Sequence, residues 1–137
     1  MKDYGPMVSY LLGALLLASI GLLIFLIYPT AVPQWEIDWA QYPTLEFLKN
    51  KDNTGNACPS LHVAFATFSF CWIRIIIKKL IRSKLVNAVN FFWAAVIIVS
   101  TMTTKQHLLI DVLTGFILGL FVFFLNYKWM QQRKIEV

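Results

Sequence analysis

Two histidines occur in this chain of 137 residues. One closes Cys58-Pro59-Ser60-Leu61-His62, and the other opens His107-Leu108-Leu109-Ile110-Asp111. Free imidazole titrates near neutrality, which suits nucleophilic attack and proton transfer. His107 and Asp111 are four residues apart, so a helix puts them on one face. The carboxylate can then accept a hydrogen bond from one ring nitrogen, fix the tautomer and free the other nitrogen to act as nucleophile or base. Asp111 falls about one turn inside an apolar run. A charge at a span centre costs roughly 2.5–3.5 kcal/mol and less near an edge, so this side chain calls for a partner. The plain alternative is a polar pair that only locks helices together.

Pro59-Ser60-Leu61-His62 carries a second set of groups. Proline is favoured in the first turn of a helix, where no N–H is needed. The free N–H groups that follow, with the Ser60 hydroxyl, form an anion site beside His62. A capped helix start with an incidental histidine is the alternative. Taken together, the two segments describe a phosphate site. Helix N-termini and a hydroxyl hold the oxyanion, one histidine attacks, and the other protonates the leaving oxygen.

The elements that must position these groups are apolar. Hydrophobic residues make up 58% of the chain and charged residues 14%, against roughly 45–50% and about 25% in soluble proteins. Four runs read as spans, at about Val8–Tyr28, Leu61–Ile77, Leu85–Met102 and Leu108–Tyr127. Each is close to the roughly 17–25 residues a helix needs to cross a bilayer. The expected fold is an all-α integral membrane bundle, one domain over residues 1–137, with an interfacial outer loop. The first run is longer than the roughly 7–15 residues of a signal-peptide core and has no small-x-small cleavage site after it, so it reads as a span.

The net charge of +5 does not point to nucleic acid, because the basic residues cluster between and after the apolar runs. Arg74, Lys78, Lys79, Arg82 and Lys84 surround the second connection, and Lys128, Arg133 and Lys134 fill the tail. The other two connections hold only Lys49, Lys51 and Lys105. The positive-inside rule then predicts both termini and the second connection on the cytoplasmic side. His62 and His107 each start an inward-running span, so both fall at the same extracytoplasmic depth.

The connection from about Pro29 to Pro59 is the one long loop. Trp35-Glu36-Ile37-Asp38-Trp39-Ala40 suits the membrane interface. Pro43 interrupts it, a short helix over about Thr44–Lys49 with Thr44 as N-cap is expected, and Asp52-Asn53-Thr54-Gly55-Asn56 reads as a turn cluster. Gly115-x-x-x-Gly119 lets helices approach closely, either within the bundle or across a homodimer. Cys58 and Cys71 are separated by helix worth about 20 Å, too far for a disulfide. Cys71 reads as core filling, and Cys58 as free or paired between chains.

The residues around the histidines resemble the type 2 phosphatidic acid phosphatases and related lipid phosphotransferases. That family carries Pro-Ser-x-His at the start of one span and Ser-Arg-x5-His-x3-Asp running into a later one. Here the second reads Ser100-Thr101-Met102-Thr103-Thr104-Lys105-Gln106-His107-Leu108-Leu109-Ile110-Asp111, with Ser100, His107 and Asp111 in register. The Ser-Leu-His and Thr-Lys-Gln-His stretches look most like the branch that includes inositol phosphorylceramide synthases. The resemblance covers about Ile27–Gly119. It implies a membrane lipid phosphatase or phosphotransferase acting on a lipid phosphate or pyrophosphate. His107 would be the nucleophile that becomes a phosphohistidine, Asp111 its orienting carboxylate and His62 the general acid. Ser60, Ser100, Lys105 and Thr101 would hold the phosphate. No metal and no cofactor is implied, and the partners are the lipid substrate and the bilayer.

Two family features are absent. Its first motif, Lys-x6-Arg-Pro, should follow the first span, where this chain reads Tyr28-Pro29-Thr30-Ala31-Val32-Pro33-Gln34-Trp35. The arginine of the third motif is Thr101. Lys105 is the one cation within the motifs, and Lys49 and Lys51 could fold over from the loop. Family members usually carry six spans, and this chain keeps the last four. A degenerate member that binds a lipid phosphate or a partner protein without turnover is the alternative. A metal centre built from His62, His107 and Asp111 is a further one.

Overall fold

In a computed structural model of the chain, residues 5–31, 41–44, 46–47, 56–80, 82–103 and 107–135 are described. Four helices dominate: α1 Gly5–Ile27, α2 Leu61–Leu80, α3 Lys84–Thr103 and α4 Leu109–Ile135. All four are long and apolar enough to cross a membrane, in line with the expected all-α membrane bundle. The Trp35–Ala40 stretch, Lys49, Lys51 and Lys105 lie outside the described residues.

The ends of the helices follow local chemistry. α1 starts at Gly5 rather than about Val8, with Pro6 in its first turn, where a missing N–H costs nothing. α2 runs past the expected Ile77, and the Arg82 N–H closes it on the Ile77 carbonyl at 2.9 Å. Arg82 itself is left-handed, with φ 49°. Ser83 caps α3 by accepting from the Val86 N–H at 3.3 Å. α4 continues beyond Tyr127 because its end pairs with itself at i,i+4. Gln131 Nε2 donates to the Tyr127 hydroxyl at 2.7 Å, and the Arg133 guanidinium sits 4.1 Å over the Trp129 ring. The short helical turn in the long loop begins at Pro43, one residue before the expected cap Thr44; the Glu46 N–H bonds back to the Tyr42 carbonyl.

Packing follows membrane rules. α1 buries Ser9, Gly13, Leu17 and Gly21, four residues apart, and turns Leu15, Leu22, Leu23 and Leu26 outward. Small residues inside and large apolar ones outside is the arrangement of a helix whose solvent is lipid. α2 lies at the centre. Its Ala64, Phe68 and Trp72 form a core with Leu17 of α1 and Val122, Phe123 and Met130 of α4. Trp72 meets Phe123 edge-on at 6.0 Å, and Phe123 stacks on Tyr127 at 5.8 Å.

Gly115 and Gly119 are used inside the chain. A Cβ on Gly115 would run into the Ser60 carbonyl, and one on Gly119 into the Ala64 carbonyl. The pair therefore brings α4 backbone-close to α2. α3 packs mainly on α2, helped by Asn90 Nδ2 donating to the Phe70 carbonyl at 3.1 Å. Among the described residues no Cα of α1 comes within 8 Å of a Cα of α3. Both cysteines are free, and Cys71 packs against the core.

Candidate active site

The site lies where α2 and α4 begin side by side. Ser60 precedes α2 and caps it, its Oγ accepting from the Val63 N–H at 3.4 Å. Pro59 therefore stands before the cap, not in the first helical turn as expected. A serine hydroxyl that can take an orphan N–H wins the cap position. The Cys58–Pro59 peptide is cis. The segment leading in is tied to the end of α1: Cys58 N–H donates to Thr30 Oγ1 at 2.8 Å, and Ala57 N–H to the Thr30 carbonyl at 3.3 Å.

α4 starts with a reciprocal arrangement. Asp111 sits in the first turn and its Oδ2 accepts the Leu108 N–H at 2.8 Å. This is the reach-back half of a capping box, with a carboxylate at the favourable end of the helix dipole. The same Oδ2 lies 3.8 Å from His107 Nδ1. The side chains of His107 and Asp111 are only 9% and 5% exposed. The His107 N–H donates to the Thr101 carbonyl at 3.3 Å, which fixes its backbone to the end of α3.

The two helix starts are joined through their backbones. Ser60 N–H donates to the Asp111 carbonyl at 3.0 Å. Across this junction the His62 and His107 rings stand 6.0 Å apart, centroid to centroid, at 59°. His62 is exposed, whereas the His107 side chain is nearly buried with its Nδ1 3.8 Å from the carboxylate. A cavity of about 530 Å³ runs from His62 along α2, between α1 and α3.

His62, His107, Asp111 and Ser60 thus lie together where α2 and α4 begin. Thr101 is buried and its hydroxyl donates to the Ile98 carbonyl at 2.8 Å, so its contact with the site is the carbonyl that holds His107. Ser100 is on an exposed face of α3 with its hydroxyl donating to the Ile97 carbonyl at 2.8 Å. Lys105 is outside the described residues. Thr30 and Leu108 were not expected to matter, and they act through backbone atoms and a single hydroxyl. Among the described residues no three His, Cys, Asp or Glu side chains gather to hold a metal ion, so the geometry lends no support to a His62/His107/Asp111 metal centre.

A family model for the PAP2 superfamily matches residues 6–135, nearly the whole chain. The chain belongs to the PAP2 superfamily. No curated protein and no solved structure matches it. PAP2 superfamily membership brings phosphatase or phosphotransferase activity on phosphate esters. With four apolar helices, it makes this an integral membrane protein. In this PAP2 chain the two histidines stand at the starts of α2 and α4, their rings 6.0 Å apart.

Proposed function

We propose that the protein is a membrane lipid phosphatase or phosphotransferase that works through a phosphohistidine on His107. The observation that carries this reading is the 6.0 Å separation of the two histidine rings, with Asp111 behind one of them. In-line displacement at phosphorus needs the attacking and leaving atoms on opposite sides, each within about 3–3.5 Å of contact. Rings this close can both reach one phosphoryl group at the helix starts.

Asp111 faces Nδ1 of His107, so Nε2 is the attacking nitrogen. Its lone pair forms the N–P bond while the ester P–O bond breaks, and the electron pair leaves on oxygen. Protonated His62 gives that oxygen its proton. Water, or an acceptor hydroxyl for transfer, then attacks the phosphohistidine and passes its proton to His62. The growing charge on the phosphate oxygens meets the N-terminus of α2, worth about half a positive charge.

A lipid substrate is supported by the cavity that continues from His62 between membrane helices. An extracytoplasmic site is supported by charge. Arg74, Lys78, Arg82, Lys84, Lys128 and Arg133 all lie toward the ends of the helices away from the histidines. The positive-inside rule puts that end in the cytoplasm.

One observation favours binding without turnover. Thr101 replaces the family's arginine, and its hydroxyl is already bonded to its own helix. Losing one preorganised charge-stabilising donor typically costs about 10²–10³ in rate. The deciding experiment incubates purified protein with a ³²P-labelled lipid phosphate, with and without chelator. Acid-labile label on the wild-type chain, absent from His107→Asn and indifferent to chelator, supports the enzyme. Binding with no label and no phosphate release supports the degenerate reading, and loss to chelator alone supports a metal.

A further inference from the structure

Residues 57–60 form the strap through which the chain enters α2. Ala57, Pro59 and Ser60 are buried and Cys58 is half-buried. Behind Cys58 and Pro59 lies a cavity of about 410 Å³, between Ile24 and Tyr28 on one side and Ile117 and Leu118 of α4 on the other. Neither histidine lines it. Close packing is what normally fixes an interior segment. On the cavity side that support is missing, so hydrogen bonds have to hold the strap in place.

Thr30 makes three of them. Its Oγ1 accepts the Cys58 N–H at 2.8 Å and donates to the Cys58 carbonyl at 3.4 Å. Its own carbonyl accepts the Ala57 N–H at 3.3 Å. One hydroxyl can serve both Cys58 groups because it carries a donor and two lone pairs. From the other side, Cys58 Sγ lies 3.3 Å from Thr114 Oγ1. The Thr114 hydroxyl spends its proton on the Ile110 carbonyl at 2.8 Å, so the thiol donates to it. The strap ends at Ser60, whose N–H is bonded to the Asp111 carbonyl. A continuous tie thus runs from the residues after α1 to the first turn of α4, and His62 follows the strap directly after Leu61. The stretch after α1 that lacks the family's basic motif holds a hydroxyl with a different task.

We propose that Thr30 is a positioning residue for the reaction, with Thr114 holding the same strap from the opposite side. Thr30 acts through Cys58 and Ser60, not on the substrate. Its hydroxyl keeps the strap out of the cavity behind it, and so keeps His62 where its proton reaches the leaving oxygen. A misplacement of about 1 Å at a reacting group can cost about 10²-fold in rate. The inference rests on the phosphatase reading above, in which His62 is the general acid, and adds what sets the place of that acid.

The test measures turnover of butyl phosphate and of p-nitrophenyl phosphate in detergent. Butoxide needs a proton to leave and p-nitrophenolate does not. Thr30→Val keeps the shape and removes the hydroxyl. It is expected to lower kcat on butyl phosphate by about tenfold or more, with KM within about twofold, and on p-nitrophenyl phosphate by less than about threefold. Thr30→Ser keeps the hydroxyl and is expected to hold both rates within about twofold of wild type. Ser19→Ala, which removes a hydroxyl bonded to the Leu15 carbonyl within α1, is expected to change neither. Equal losses on both esters, no loss in Thr30→Val, or no recovery in Thr30→Ser overturns the positioning role and leaves the phosphatase reading standing. Turnover of neither ester by the wild-type protein overturns the phosphatase reading and this inference with it. Should Thr30→Val fail to fold, Thr114→Val is read by the ratio of the two esters, expected to shift by about threefold or more; an unchanged ratio there overturns the inference.

Discussion

The backbone N–H of Ser60 is bonded to the backbone carbonyl of Asp111 at 3.0 Å. The helix start that carries His62 is thereby registered against the turn that carries the Asp111 carboxylate. The two histidines hold their spacing through this backbone junction, with Gly115 admitting the Ser60 carbonyl one turn further along.

Gly115→Ala is therefore expected to damage both stability and activity. The new Cβ meets a backbone carbonyl that cannot rotate aside, an overpacking that typically costs about 1–3 kcal/mol. Thermal unfolding in detergent should show a lower midpoint, and phosphate release should fall by tenfold or more. An unchanged midpoint would mean the helices can separate at no cost.

Asp111 does two jobs that substitution can separate. Asp111→Asn keeps an oxygen that can accept from the Leu108 N–H, so the unfolding midpoint should stay close to wild type. It loses the charge that stabilises an imidazolium, so kcat should fall on the order of 10²–10⁴. Asp111→Ala removes the cap as well and should lose about 1 kcal/mol of stability in addition. Equal midpoints for the two variants would show that the capping contact contributes nothing.

His62 and His107 should be told apart by the leaving group. His107→Ala is expected to abolish turnover of every ester. His62→Ala should cost about 10²–10⁴ on alkyl phosphates, whose leaving oxygen needs a proton. It should cost far less on p-nitrophenyl phosphate, whose leaving group departs as an anion. Equal losses on both esters would remove His62 from the acid role.

Thr101→Val tests which part of Thr101 matters. The carbonyl that holds the His107 N–H is retained, and the hydroxyl bonded to Ile98 is removed. Activity is expected to stay within about threefold. A loss of the 10²–10³ typical of a charge-stabilising donor would return the hydroxyl to the phosphate.

Much of this was legible in the sequence because membrane spans announce themselves. Leu61 and Leu109 open helices at or next to the expected starts, and an i,i+4 His–Asp pair must share a face if the helix forms. What the residues could not show is partnership through the main chain. The Ser60–Asp111 and His107–Thr101 bonds use N–H and C=O groups that every residue carries, so no side chain marks them. Gly115-x-x-x-Gly119 signalled a close approach but not its partner, because small residues lower the barrier to any neighbouring helix. The Ser9-Gly13-Leu17-Gly21 stripe was hidden for a related reason: in a helix apolar all round, the buried face is distinguished by size and not by polarity.

The gap between α1 and α3 has a kinetic meaning. For a substrate dissolved in the bilayer, a groove open along its side is reached by sliding within the leaflet, without a step through water. Encounter then becomes a two-dimensional search. Its rate is set by the mole fraction of substrate among the surrounding lipids, so diluting the membrane with inert lipid should slow turnover while diluting the suspension with buffer should not.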